Sequence, residues 1–180
     1  IHYDGPLLVL NNSFTASSSE IFSGALKDYN RGLIVGESTF GKGTVQNLID
    51  LERFFPNTNL QFGQLKITLA KYYRVNGGST QKIGVEPHVE FPNIYDRSIY
   101  TENARKNALE WDKIRDISFN DINYINEPLV DHLNTTFKND VKSDSSFINY
   151  LSFVEETKEN RKKKSISLNY SKRLAEKKEL

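Results

Sequence analysis

The sequence predicts an α/β domain followed by a mostly α-helical extension, and three observations carry this. Two short apolar runs, Leu7–Leu10 and Leu33–Val35, bracket a helix-like segment. Alternating and glycine-punctuated stretches follow up to about residue 94. Beyond that point the chain becomes polar, with apolar residues at helical spacing. We divide it accordingly into residues 1–94 and 95–180.

Leu7–Leu10 reads as a strand buried on both faces, because such strands are continuous apolar runs. The Ser/Thr/Asn-rich turn Asn11–Ser19 leads into a helix, where Ser17 and Glu20 have capping-box spacing. Ile21, Phe22, Ala25, Leu26 and Tyr29 form its expected apolar face, and Asn30, Arg31 and Gly32 stop it. Leu33–Val35 is a second buried strand. Strand, helix and strand together predict parallel pairing through a right-handed crossover.

Gly36–Gly43 is a loop, and residues 44–51 and 60–75 read as strands. In the latter, Leu65, Ile67 and Leu69 alternate with Lys66 and Thr68. Asn76-Gly77-Gly78 marks a hairpin turn. Residues 84–91 should return as a strand, with Pro87 and Pro92 marking an edge or an exit. In the second part, Trp111, Ile114, Ile117 and Phe119 are expected docking residues. Phe147, Ile148, Leu151 and Val154 recur at helix spacing, and Arg161–Lys164 reads as a solvated helix end.

Composition narrows the function. The 180 residues carry 24 Lys+Arg against 23 Asp+Glu, a net charge of +1, which disfavours nucleic acid as a partner. Without Cys there is no disulfide, thiol catalysis or Cys-ligated zinc, and the three His stand in no metal-ligand spacing. No cofactor or metal is expected. No apolar run is long enough for a membrane span. The chain has no Met and opens on a strand-like Ile1, so it reads as a piece of a longer polypeptide.

Three chemistries compete in the first half. Gly36–Gly43 matches a P-loop up to its lysine, but Gly43 stands where Ser or Thr should hold magnesium, and Thr44-Val45-Gln46 favours a strand where a helix is needed. Ser79-Thr-Gln-Lys82 has penicillin-binding spacing, but it lies beside a Gly-Gly turn instead of on a helix. In the third, Ser17 sits at the turn from a strand into a helix, where amides point at developing charge. Lys42, between Gly41 and Gly43, could be its base, since a lysine accepts a proton only as the neutral amine and burial favours that form. The residues allow this arrangement without requiring it.

Thr15-Ala16-Ser17-Ser18-Ser19-Glu20-Ile21-Phe22 resembles the nucleophile segment of the C-terminal processing peptidases. Gly36-Glu37-Ser38-Thr39-Phe40-Gly41-Lys42-Gly43-Thr44-Val45-Gln46 resembles their lysine segment, and the interval from Ser17 to Lys42 is also theirs. Tyr72–Gln81, Trp111-Asp112 and Ser167–Tyr170 resemble later landmarks, the last two of the tail-specific protease branch. The resemblance implies an αβ protease core of crotonase/ClpP-like type. It implies Ser17 as nucleophile, Lys42 as general base, Gln46 as orienter of the lysine and the Ser18 N–H as one oxyanion donor. Gln46 lies an even number of residues from Lys42, so a regular strand turns both to one face.

Asp28 matches a residue important in the family. It would lie three helical turns from Ser17, ~16 Å along the axis, so a supporting role is expected, with Arg31 or a backbone amide as its partner. Ser18 departs from the family's small residue, and His88 replaces an acidic one and is expected at a surface strand end. Ser19 and Glu20 are expected to cap the helix, and Ser13 to serve the turn.

The resemblance further implies protein or peptide substrates with apolar C-terminal tails and an envelope adaptor as partner. It implies the periplasm or envelope of a Gram-negative bacterium. The family's second oxyanion donor and its tail-binding PDZ domain have no counterpart in these residues, so little activity is expected from the chain alone. The alternative is a non-catalytic protein-interaction piece of the same fold.

Overall fold

The computed structural model describes residues 3–56 and 60–178, so Ile1 and His2 lie outside it. The chain forms two compact units, Ile1–Phe137 and Lys138–Leu180. No helix among the described residues is long and apolar enough to cross a membrane.

The first unit is built on the expected crossover. β1 (Leu8–Asn11) leads through α1 (Ser18–Asp28) to β2 (Leu33–Gly36), and β1 and β2 pair in parallel from Leu8↔Leu33 to Asn11↔Gly36. A third parallel strand, β5 (Val89–Glu90), adds to the other side of β2. Only these two residues of the 84–91 stretch join the ladder. Between them lie β3 (Thr44–Asp50) and β4 (Gln64–Lys71), an antiparallel ribbon separate from the parallel sheet. The ribbon has one irregularity. Val45 pairs with Ala70 and Gln46 with Thr68, so Leu69 is the extra residue, and the bulge bends β4 while β3 keeps its alternation.

Two burial expectations are corrected. β1 is an edge strand instead of one covered on both faces, and Leu8 and Leu10 are 54% and 71% exposed. On α1 the apolar residues Ile21 and Phe22 are exposed, while Glu20, Ser23 and Gly24 are buried. The reason is local bonding. Ser23 Oγ donates to Asn11 Oδ1 (3.0 Å), Glu20 meets a set of donors described below, and Gly24 gives Arg74 and Val85 close approach. Among the described residues, buried polar ones outnumber buried apolar ones, and the few apolar ones include Ile34, Val35, Val85 and Val89. Hydrogen-bond satisfaction therefore does much of the work that apolar burial does elsewhere.

α1 ends as expected. Asn30 takes the left-handed conformation (φ 48°), and the amides of Arg31 and Gly32 return to the Leu26 carbonyl. The Asn76–Gly78 turn also forms, with Gly77 N–H on the Arg74 carbonyl at 2.8 Å.

The stretch after residue 94 is less helical than expected. It holds only the short α2 (Arg97–Tyr100) and a 3₁₀ turn (Glu102–Ala104) before α3 (Glu127–Asp140). Irregular chain docks on the first part instead. Residues 112–117 run against 75–79, with Ser79 N–H on the Asp112 carbonyl (3.1 Å) and Ile114 N–H on Gly77 (2.9 Å). Trp111 Nε1 donates to the Ser79 carbonyl at 2.8 Å, and Phe119 packs edge-on to Tyr29.

The second unit contains α4 (Ser145–Lys162) and α5 (Tyr170–Lys178). Asp144 caps α4 by accepting from Phe147 N–H (2.8 Å), and Val154 is its buried residue. The basic run Arg161–Lys164 ends this helix, with Lys162 paired to Glu159.

Candidate active site

Ser17 occupies the turn from β1 into α1 with φ 57° and ψ −118°. For a residue with a Cβ this conformation is strained, at a cost of about 1–3 kcal/mol, and it persists only where its surroundings enforce it. The enforcing group is Glu20, which is fully buried. Its Oε2 accepts from the amides of Ser17 and Lys42, both at 2.8 Å. Its Oε1 accepts from Thr39 Oγ1 (2.5 Å) and Gly41 N–H (2.6 Å). A carboxylate has acceptor capacity for all four donors. Ser17 and Lys42 thus share one acceptor atom, and their backbones lie within two hydrogen-bond lengths of each other.

A second clamp closes on the carbonyl side. The Tyr72 hydroxyl lies 3.0 Å from the Lys42 carbonyl and 3.3 Å from that of Ser17, and accepts from Thr80 Oγ1 (2.8 Å). Burial, then the charge of Glu20, pushes the Tyr72 phenol up to about 12, which keeps it a donor. Phe40 N–H on the Thr15 carbonyl (2.9 Å) adds a direct tie between the two loops.

The lysine loop is held from three further sides. Arg97 donates to the carbonyls of Ser38, Thr39 and Ile83. Gln81 Oε1 accepts from Gly43 N–H (2.9 Å). Gly41 has φ 90° and lies against the Lys82 backbone, where a Cβ would come within 2.7 Å of the carbonyl carbon. Only glycine fits there.

Lys42, Thr44 and Gln46 all line one groove; Thr44 and Gln46 alternate on β3, and Lys42 lies just before it. Gln46 is exposed, with its Nε2 3.5 Å from Thr68 Oγ1. Ser18 lines a different hollow, together with Leu10, Asn11 and Phe22. Among the described residues the Ser18 N–H has no hydrogen-bond partner, as is usual for the first amide of a helix.

Asp28 is remote from this cluster. It accepts from two guanidinium nitrogens of Arg74, Nε (2.8 Å) and Nη2, and from Asn76 Nδ2 at 3.1 Å. This replaces the expected Arg31, which donates to the Tyr3 carbonyl and lies over the Tyr3 and Tyr124 rings. His88 is also corrected from a surface residue. Its Nδ1 accepts from Ile34 N–H (2.9 Å), and burial, then Lys27, lowers its pKa to about 4.

The rival motifs lack their geometry. The loop 37–43 runs into β3, not into a helix that could hold phosphate. Ser79 is buried in an isolated bridge to Tyr73, not on a helix, and Lys82 pairs with Glu110.

Sequence reasoning missed Tyr72 and Arg97, and gave Glu20 only a capping role. Glu20's link to the lysine loop had no signal in the spacing, because its partners lie about twenty residues on.

The strained serine at the strand–helix turn and the glycine-flanked lysine are thus tied through their backbones. Comparison with known proteins supplies the class: residues 1–91 match the model of peptidase family S41, and residues 95–180 match the C-terminal domain of tail-specific protease. The chain belongs to peptidase family S41. It is 42% identical over 176 residues to the tail-specific protease of Haemophilus influenzae, covering 97% of this chain and 25% of that protein. It is 46% identical over 85 residues to the chloroplastic C-terminal processing peptidase of Tetradesmus obliquus, covering 47% of this chain and 17% of the relative. A solved photosystem II D1 C-terminal processing protease shares 41% identity over 54% of this chain and 23% of its own, with a TM-score of 0.41. The chain thus spans a quarter or less of the length of these relatives.

Proposed function

We propose that this chain is the C-terminal part of a serine endopeptidase that selects proteins by their C-terminal tails. Residues 1–94 would complete a crotonase/ClpP-like protease core, and residues 95–180 would form the extension. The observation that carries the reading is the strained Ser17 held to Lys42 through Glu20 and Tyr72.

In this reading Lys42, as the neutral amine, takes the hydroxyl proton of Ser17 as Oγ attacks the scissile carbonyl. The Ser18 N–H stabilises the oxyanion. The ammonium of Lys42 then returns the proton to the leaving amine, and the acyl-enzyme forms. Water, deprotonated by the same amine, releases the acid and regenerates Ser17. Gln46 orients Lys42 from the shared groove, and Asp28 supports the site by anchoring the end of α1 to the segment 72–81.

Substrates would be unstructured polypeptides with apolar C-terminal tails, and an envelope adaptor would be a partner. The setting would be the periplasm or envelope of a Gram-negative bacterium. The likeness to the Haemophilus influenzae protease supports these points. The chain itself supplies one oxyanion donor and no tail-binding module, so by itself it should turn over little.

Ser17→Ala and Lys42→Ala in the intact protease should each lower cleavage of a peptide with an apolar tail by at least about a thousandfold, with tail binding kept. Cleavage that survives both changes defeats the dyad, and loss of tail binding alone would favour a scaffold.

A further inference from the structure

The groove that holds Lys42 and Gln46 has a volume of about 560 Å³ and a one-sided charge. Lys42, Lys66, Arg105 and Lys106 line it, against the single carboxylate of Glu102. Glu102 already accepts from Gln81 Nε2 at 3.0 Å. Among the described residues, none of the four cations has an ion-pair partner.

Three cations elsewhere in the first unit are ion-paired. Where residues 110–112 dock, Lys71 pairs with Asp112 and Lys82 with Glu110, and deeper in the fold Arg74 pairs with Asp28. In a chain with a net charge of only +1, the groove of the candidate base thus brings four cations without an ion-pair partner onto one lining.

The fold holds these cations in place from two sides. On the ribbon, Lys66 lies opposite Leu48 and Thr68 opposite Gln46, so alternation puts Lys66 on the face of Gln46 and Lys42. Arg105 and Lys106 follow the 3₁₀ turn 102–104, whose Glu102 N–H is fixed to the Phe40 carbonyl at 3.2 Å. Thus the turn that carries two cations is tied to the loop that carries Lys42.

We infer that this groove is an acid-selective subsite, which takes the Asp and Glu side chains of an extended substrate segment next to the scissile bond. The inference rests on the peptidase reading above and extends it to a substrate class. Potentials in a groove lined by one sign of charge add, and they raise the local concentration of the opposite sign. Lys66, Arg105 and Lys106 are exposed and Lys42 is half-buried, so each contributes modestly and the effect is screened by salt. Because Lys42 is one wall of the groove, a segment held there passes the base.

The test uses the intact protease and two unstructured peptides with the same apolar tail. One carries a short Asp/Glu run inside the chain, and the other the matching Asn/Gln run. Fluorescence anisotropy with the Ser17→Ala protein should show the acidic peptide bound about tenfold more tightly at low salt, with near-equal binding at about 0.5 M salt. Lys66→Glu/Arg105→Glu/Lys106→Glu should abolish or invert the preference, and the milder Lys66→Gln/Lys106→Gln should reduce it. Thermal melts confirm that each variant folds. Equal affinity for the two peptides, or a preference that survives the charge reversal, overturns the subsite, as does tighter binding of a short single-stranded oligonucleotide. Cleavage by the Ser17 protein separates the two claims. An acidic preference in binding without turnover would sink the peptidase reading and leave the subsite standing. Turnover without an acidic preference would do the reverse.

Discussion

At the scale of single residues, the site depends on groups that touch both halves of the proposed dyad. Glu20 binds the amides of Ser17 and Lys42 through one oxygen, so its removal should loosen both at once. Glu20→Gln keeps the shape but turns an acceptor into a donor facing buried N–H or O–H groups. We expect a loss of about 1–3 kcal/mol in chemical denaturation, with a fall in kcat. Tyr72→Phe is the gentler probe. It removes one hydroxyl from between the Ser17 and Lys42 carbonyls while the ring stays. Positioning residues act on the chemical step, so kcat should fall about ten- to a hundredfold with KM within about twofold. A rise in KM with unchanged kcat would show that Tyr72 acts on substrate binding instead.

At the scale of elements, the parallel sheet carries a pH dependence through His88. Its backbone N–H donates to the Ile34 carbonyl (2.7 Å) and its ring accepts from Ile34 N–H, so a neutral imidazole belongs to the β2–β5 join. The folded pKa of about 4 lies below the ordinary 6.5, so between these values the unfolded chain binds more protons. The contribution is fully present above about pH 6.5 and is lost as pH falls towards 4. Urea midpoints of His88→Gln should vary less across that window than those of the unchanged chain, and parallel curves would refute the assignment. Gly41→Ala tests the lysine loop in the same way. A positive φ and a Cβ against the Lys82 carbonyl should cost about 1–3 kcal/mol or more and lower activity with it. The crossover β1–α1–β2, the ribbon and the turn at Asn76–Gly78 were legible because each has a local signal in apolar runs, alternation or glycine, whereas the strand arms expected on either side of that turn form only the isolated bridge Tyr73↔Ser79. The buried face of α1 was not. Apolar periodicity points to Ile21 and Phe22, whereas the buried face is decided by Thr39, Gly41, Lys42 and Asn11, whose positions local sequence does not give. The serine and lysine were legible as residues, but the carboxylate and phenol that join their backbones are contacts between distant segments.

At the scale of the whole chain, two of the residues that failed the burial expectation share a surface. Leu10 of β1 and Phe22 of α1 line the same hollow as Ser18, and they are 71% and 57% exposed. Leu8 and Ile21, at 54% and 49%, belong to the same two elements. An edge strand with unpaired backbone groups lies beside them, and such edges recruit other chains. Large apolar side chains beside an open edge are a surface that water disfavours. The 180-residue chain by itself should therefore bind a hydrophobic dye and associate as its concentration rises. Sedimentation velocity should show a shift to larger species that Leu10→Glu/Phe22→Glu reverses, since the two charges would have to be buried in any contact made through this face. A chain that stays monomeric and dark to the dye across that range would mean that the exposed face is satisfied within the fold, and the contrast between its two burial patterns would then need another cause.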